Sequence, residues 1–188
     1  MAADVTGEDS GRFGTLYEVA QLLSSSLDLQ EVLQRVMDVV VAVTGAERGM
    51  VLLPDAEGVL SVAVARNLNR EDIDRRESGV SRTLCDRVFD TGHAVLIGDA
   101  LEDERSAAAE SVVSLRLRSV LCAPLRIKGK TTGVVYLDHR AETGRFSERQ
   151  SRLLEAVAEQ AAIAIENARL YDDLRQHAAN RRPEDVPG

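Results

Sequence analysis

Ser119-Val-Leu-Cys-Ala-Pro-Leu-Arg-Ile127 and Thr132-Gly-Val-Val-Tyr-Leu137 flank Lys128-Gly129-Lys130. Two short runs rich in Val and Leu around a glycine turn read as an antiparallel hairpin. Pro124 has no N–H for a ladder, so the first strand should carry an edge or a bulge there. Downstream, from Ser147 to about Ala178, the residues Leu154, Val157, Ala161, Ala164, Ala168 and Tyr171 repeat in alternating steps of three and four, which predicts a long helix. Ile163, Leu170 and Leu174 fall off that stripe. A helix with two apolar faces needs two partners, a sheet on one side and a helix on the other.

Working back toward the N-terminus, Ala94 to Ile97 reads as a strand ending at Gly98-Asp99, and Val80, Leu84 and Val88 as a short helix closed near Gly92. Met50 to Leu53 and Val59 to Ala65, separated by Pro54, Asp55 and Glu57-Gly58, read as a second hairpin. Asp28 with Glu31 three residues on resembles a capping box, opening a helical face of Val32, Leu33, Val36, Met37, Val40 and Val43 that ends at Gly45. Before it, Phe13, Leu16, Ala20, Leu23 and Leu27 form an a/d stripe. Residues 67–79 are dense in charge and read as a surface loop, and residues 100–117 as loop plus helix. The order helix, helix, two strands, helix, strand, helix, two strands, long helix predicts an α+β domain with one sheet between helical layers. The expected boundaries are a flexible segment at 1–12, one domain with its terminal helices at 13–178, and a flexible tail at 179–188.

The stretch from Leu16 to Tyr171 resembles a GAF domain, the small-molecule regulatory module of many signalling proteins. Ser119 to Leu125, Gly133-Val-Val-Tyr-Leu-Asp138, Phe146-Ser147 and Gln160 to Tyr171 are similar to the central hairpin and closing helix of bacterial GAF domains. Ala46 to Leu53 and Thr91 to Asp99 are similar to the first and mid-domain strands. The resemblance implies an antiparallel sheet of five or six strands, with the first and last helices on one face and loops and short helices on the other. A ligand pocket would lie under that second cover, built from residues 80–91 and 99–117 above Ala94 and Ser119. The expected pocket residues are Leu84, Val88, Ile97, Asp99, Val113, Ser119 and Leu121.

Specific chemistries of the family find little support. The acidic pair of the cyclic-nucleotide signature is missing, since Phe146 is followed by Ser147-Glu148-Arg149 and then Gln150-Ser151. Cys85 is followed by Asp86-Arg87, unlike the cysteine that anchors a bilin. The histidines, His93, His139 and His177, lie far apart in sequence and read as solvated, so no metal site is expected and the cofactor is left open. Cys85 and Cys122 show no Cys-x-x-Cys spacing, and Cys122 inside a strand reads as a buried structural thiol. No catalytic residue is expected.

Composition narrows the partners. Thirty-one acidic against 23 basic residues give a net charge of −8, the wrong sign for neutralising phosphates, so nucleic-acid binding is not expected. No apolar run approaches the ~20 residues that span a bilayer, and residues 1–14 are small and acidic, unlike a signal peptide or anchor. No membrane association is expected, and the location should be cytoplasmic. Helices as short as the first are marginal alone, so a homodimer is expected through Phe13, Leu16, Ala20, Leu23, Leu27, Ala164, Ala168 and Tyr171. The reading is a non-catalytic sensory domain that senses a small molecule or relays a signal through dimer helices to an attached effector, such as a histidine kinase or a transcription activator. The alternatives are a ligand-free dimerisation module and a thiol enzyme like the free methionine sulfoxide reductases.

Overall fold

The structure, a computed structural model, describes residues 20–23, 25–67, 69, 71–72, 79–98 and 118–180. The expected sites Phe13, Leu16, Asp99 and Val113 lie outside the described residues, as do the segments 1–12 and 181–188.

Residues 20–23 are helical, and helix α1 follows at Leu29–Thr44. Asp28 sits in extended conformation before it, and its carboxylate accepts a hydrogen bond from the Glu31 backbone N–H at 2.9 Å, satisfying one orphan amide of the first turn. The reciprocal half of a capping box is missing, because the Glu31 carboxylate accepts from the Ser26 hydroxyl and pairs with Arg35 instead. Gly45 ends the helix at φ +68°, a left-handed conformation that suits a residue without Cβ.

Strands β1 (Arg48–Pro54) and β2 (Leu60–Asn67) form the first hairpin, and helix α2 (Arg82–Thr91) and strand β3 (Val95–Ile97) follow. Strands β4 (Ser119–Ile127) and β5 (Lys130–His139) form the second hairpin, and α3 runs over Glu148–Asn180. The second strand starts at Lys130, two residues earlier than the sequence suggests. The turn is only Lys128 and Gly129, both at positive φ, which lets Ile127 pair directly with Lys130.

The five strands are antiparallel in the order β2-β1-β5-β4-β3. The two strands most distant in sequence, β1 and β5, are neighbours in the middle. Their approach is close at Gly133, where a Cβ would stand 2.7 Å from the Leu52 carbonyl oxygen. Pro124 lies beyond the three β4 residues that pair with β3, and a bulge follows between Leu125 and Arg126, so both expected accommodations of this proline are present.

Both faces of the sheet are covered, which is why its strands read as nearly unbroken apolar runs. On one face Val51, Leu53, Val64, Leu121, Ala123, Leu125, Val135 and Leu137 pack against α1 and α3. Helix α3 contributes Leu154, Val157, Ala158, Ala161, Ala162, Ala164, Ile165 and Ala168 to this core. On the other face Met50, Leu52, Ala65, Ile97, Val120, Cys122, Val134 and Tyr136 pack with Leu84, Cys85 and Val88 of α2.

Candidate functional site

The second face carries the sheet's chemistry. Alternation along β1 puts Arg48, Met50 and Leu52 on one side, and along β5 it does the same for Val134, Tyr136 and Asp138. Arg48 and Asp138 are paired across the two strands, so their side chains meet. The guanidinium donates from Nε to Asp138 Oδ1 at 2.9 Å and from Nη2 to Oδ2 at 2.6 Å, a bidentate clamp. The Asp138 side chain is fully buried and that of Arg48 only 9% exposed. One strand pair further along lies Tyr136, also buried, whose phenol oxygen is beside the Ser81 backbone and makes no well-formed hydrogen bond among the described residues. Burial, and then the Asp138 charge, pushes this phenol well above its ordinary titration range.

Burial also pushes the Asp138 carboxyl above its ordinary value of 3.8, and the hydrogen bonds and charge of Arg48 pull it back only in part. The folded chain therefore holds this proton more tightly than the unfolded chain does. The group's contribution to stability is complete below 3.8 and is lost as pH rises through the folded value. A carbon-detected NMR titration is expected to place the Asp138 midpoint above 3.8; a midpoint at or below it would mean that the guanidinium outweighs burial.

Helix α2 is the described wall over this floor. Leu84, Cys85 and Val88, at helical spacing, point into it, and Gly92 closes the helix at φ +65°. Leu84, Val88 and Ile97 thus come together in one buried apolar cluster. Two other expected pocket residues do not join them. Leu121 belongs to the core against α1 and α3 on the opposite face. Ser119 shares its parity; the buried hydroxyl donates to the Ile97 carbonyl oxygen at 3.3 Å and accepts from the Phe146 N–H at 3.4 Å, so its polar capacity is spent on tying β3 and the start of α3 to β4. Ala94 packs against that same core. Sequence reading missed Arg48, Asp138 and Tyr136; the available signal was a charge of opposite sign at the start of one strand and the end of another.

A separate surface groove of about 430 Å3 opens where the hairpin turns meet α3. Lys130 and Arg169 face Asp55, Glu166 and Asp173 there, with Leu170 on its rim. Its charges are mixed, which gives no net preference for an anion or a cation. Among the described residues no group of three or more His, Cys, Asp or Glu converges as a metal site.

The outer face of α3 differs from the expected dimer stripe. Leu23, Ala164 and Ala168 are buried in the chain's own core, whereas Ile163, Leu170, Tyr171 and Leu174 are 49, 52, 41 and 69% exposed. Small alanines fit where the helix lies close to sheet and α1, which leaves the larger side chains on the opposite side. Leu27 is exposed and Ala20 half-buried. No described helix is long and apolar enough to cross a membrane.

This geometry has counterparts in known proteins. The chain is 27% identical over 184 residues to the Nif-specific regulatory protein of Azospirillum lipoferum, covering 88% of this chain and 29% of that protein. It spans less than a third of the length of that protein and of the Nif-specific regulators of Azospirillum brasilense and Herbaspirillum seropedicae. The GAF domain of an Acinetobacter phosphoenolpyruvate-protein phosphotransferase superposes with a TM-score of 0.66 at 19% identity, over 86% of this chain and 96% of that one. The free methionine-R-sulfoxide reductase of Neisseria meningitidis, in complex with its substrate, superposes with a TM-score of 0.64 at 19% identity, over 91% and 96%. At such identities the structural matches speak for the fold. The GAF domain family model matches residues 28–165, so the chain belongs to the GAF domain family.

Proposed function

We propose that this GAF domain is a regulatory module that pairs with a second copy through α3 and passes changes at the α2-covered face along that helix to an attached effector. The observation that carries the reading is the division of labour across the sheet. One face holds a buried polar clamp and, elsewhere on it, an apolar floor under a short helix. The other packs against a 33-residue helix that carries Ile163, Leu170, Tyr171 and Leu174 on its far side, exposed among the described residues. Similarity to Nif-specific regulatory proteins supports a regulatory role.

The pattern of the outer face favours a particular partner. Written as a heptad, Gln160, Asn167 and Leu174 occupy a positions and Ile163, Leu170 and His177 occupy d positions. Asn167 would meet Asn167 of a second copy only in a parallel, in-register pair, and a polar a residue of this kind fixes register at some cost in stability. The g positions are Glu159, Glu166 and Asp173. An antiparallel pair would set these acids against one another, whereas a parallel pair sets them toward the e side, where Tyr171 and Ala178 are exposed. A parallel pair also sends both C-terminal ends toward one effector.

The variant Leu170→Glu with Leu174→Glu is expected to convert a dimer to a monomer in sedimentation equilibrium while leaving the circular dichroism of the fold intact. Its two new carboxylates would lie in an apolar seam without partners. An unchanged dimer mass in that variant, or a monomer in the parent chain, would remove the pairing from the account.

A further inference from the structure

The two cysteines, 37 positions apart in sequence, arrive at one place. Cys85 reaches inward from α2, and Cys122 reaches up from β4 on the same sheet face; both are fully buried in one cluster. Cys122 shares this sheet face with Tyr136, its cross-strand partner on β5, and the Cys85 thiol adds to the upward push that burial puts on the Cys122 thiol. Two sulfurs buried in one cluster on separate elements, with no third cysteine in the chain to compete, are the one candidate pair for an internal cross-link.

We propose that Cys85 and Cys122 form an oxidative modification site, closing an intramolecular disulfide that ties α2 to β4 when a hydroperoxide gains access. One sulfur, as thiolate, attacks the peroxide oxygen and becomes a sulfenic acid; the O–O bond breaks and the departing oxygen takes a proton to leave as water or an alcohol. The second sulfur attacks the sulfenic sulfur and expels hydroxide, which leaves as water with the second thiol's proton. Two electrons pass from the sulfurs to the peroxide, and two thiols plus one peroxide yield one disulfide, one water and one water or alcohol.

The fold gates this reaction. Burial, and secondarily the Cys85 thiol, pushes the Cys122 thiol well above its ordinary range, so the closed state holds neutral, unreactive sulfur. Opening depends on α2, a helix of only ten residues. A helix this short is held by packing rather than by propensity, and such elements open locally without global unfolding. Oxidation then converts a helix that can lift from the sheet into one that cannot.

The test treats the intact chain with hydrogen peroxide, then denatures and alkylates it for mass spectrometry, with amide hydrogen exchange of residues 82–91 followed in parallel. The expected result is joint loss of both alkylatable thiols, a chain mass lower by two hydrogens, a linked Cys85–Cys122 peptide, reversal by dithiothreitol, and slower exchange of the 82–91 amides in the oxidised form. The Cys85→Ala variant is expected to lose no hydrogen pair. The proposal is overturned if the helix amides exchange during the incubation while both thiols stay free. It is equally overturned if those amides do not exchange at all, if the disulfide forms between chains, or if each sulfur gains oxygen separately.

Discussion

Asp138→Ala is expected to lower the free energy of unfolding by about 3–5 kcal/mol, a large part of the ~5–15 kcal/mol that holds a domain of this kind together. The loss is not the worth of the pair with Arg48. It is the cost of leaving a guanidinium inside the fold after its two acceptors, now at 2.9 and 2.6 Å, are gone. Burial pushes the Asp138 carboxyl above its ordinary value despite the guanidinium, so desolvation opposes the attraction within the pair. Replacing both partners with apolar residues of similar size, Arg48→Met with Asp138→Leu, is therefore expected to recover most of the stability lost in the single variant. Urea unfolding of the wild type, both single variants and the double variant closes the cycle. A double variant no better than Asp138→Ala would show that the clamp contributes a net attraction that apolar packing cannot replace.

The second large effect separates two leucines on one helix. Leu154 is completely buried between α3 and the sheet, whereas Leu170 is 52% exposed on the opposite face. Leu154→Ala removes three carbons from a site where sheet, α1 and α3 converge, and is expected to cost about 2–5 kcal/mol. Leu170→Ala is expected to change the stability of the single chain by less than about 0.5 kcal/mol, because its side chain touches little of its own fold. Thermal and urea denaturation at low protein concentration compare the two directly. Equal losses would mean that the outer face of α3 is packed within the chain and not free for a partner.

Local signals in the sequence were reliable because local chemistry sets them. Asp28 and Gly45 bracket α1, Gly92 ends α2, and both hairpins stand where Gly58 and Gly129 put them. What the sequence could not settle was which face each apolar residue takes. Strand β4 is buried on both sides, so Val120, Leu121 and Cys122 are equally apolar, and period two gives no parity to choose from. Leu121 was accordingly expected on the wrong side. Helix α3 poses the same ambiguity, and the alanine stripe proved to be the inward one. Pairs made by the fold alone were invisible: Arg48 meets Asp138 across 90 residues, and Cys85 meets Cys122 only because α2 lies over β4.

The pairing of α3 is tested most directly by Asn167→Cys in a chain whose native cysteines are replaced by alanine. The account predicts that mild oxidation links two chains through residue 167 efficiently, because an a position faces its twin across a parallel seam. It predicts little linkage for Gln176→Cys, a c position on the far side of the helix. Monomers throughout, or equal linkage at 176 and 167, would contradict it.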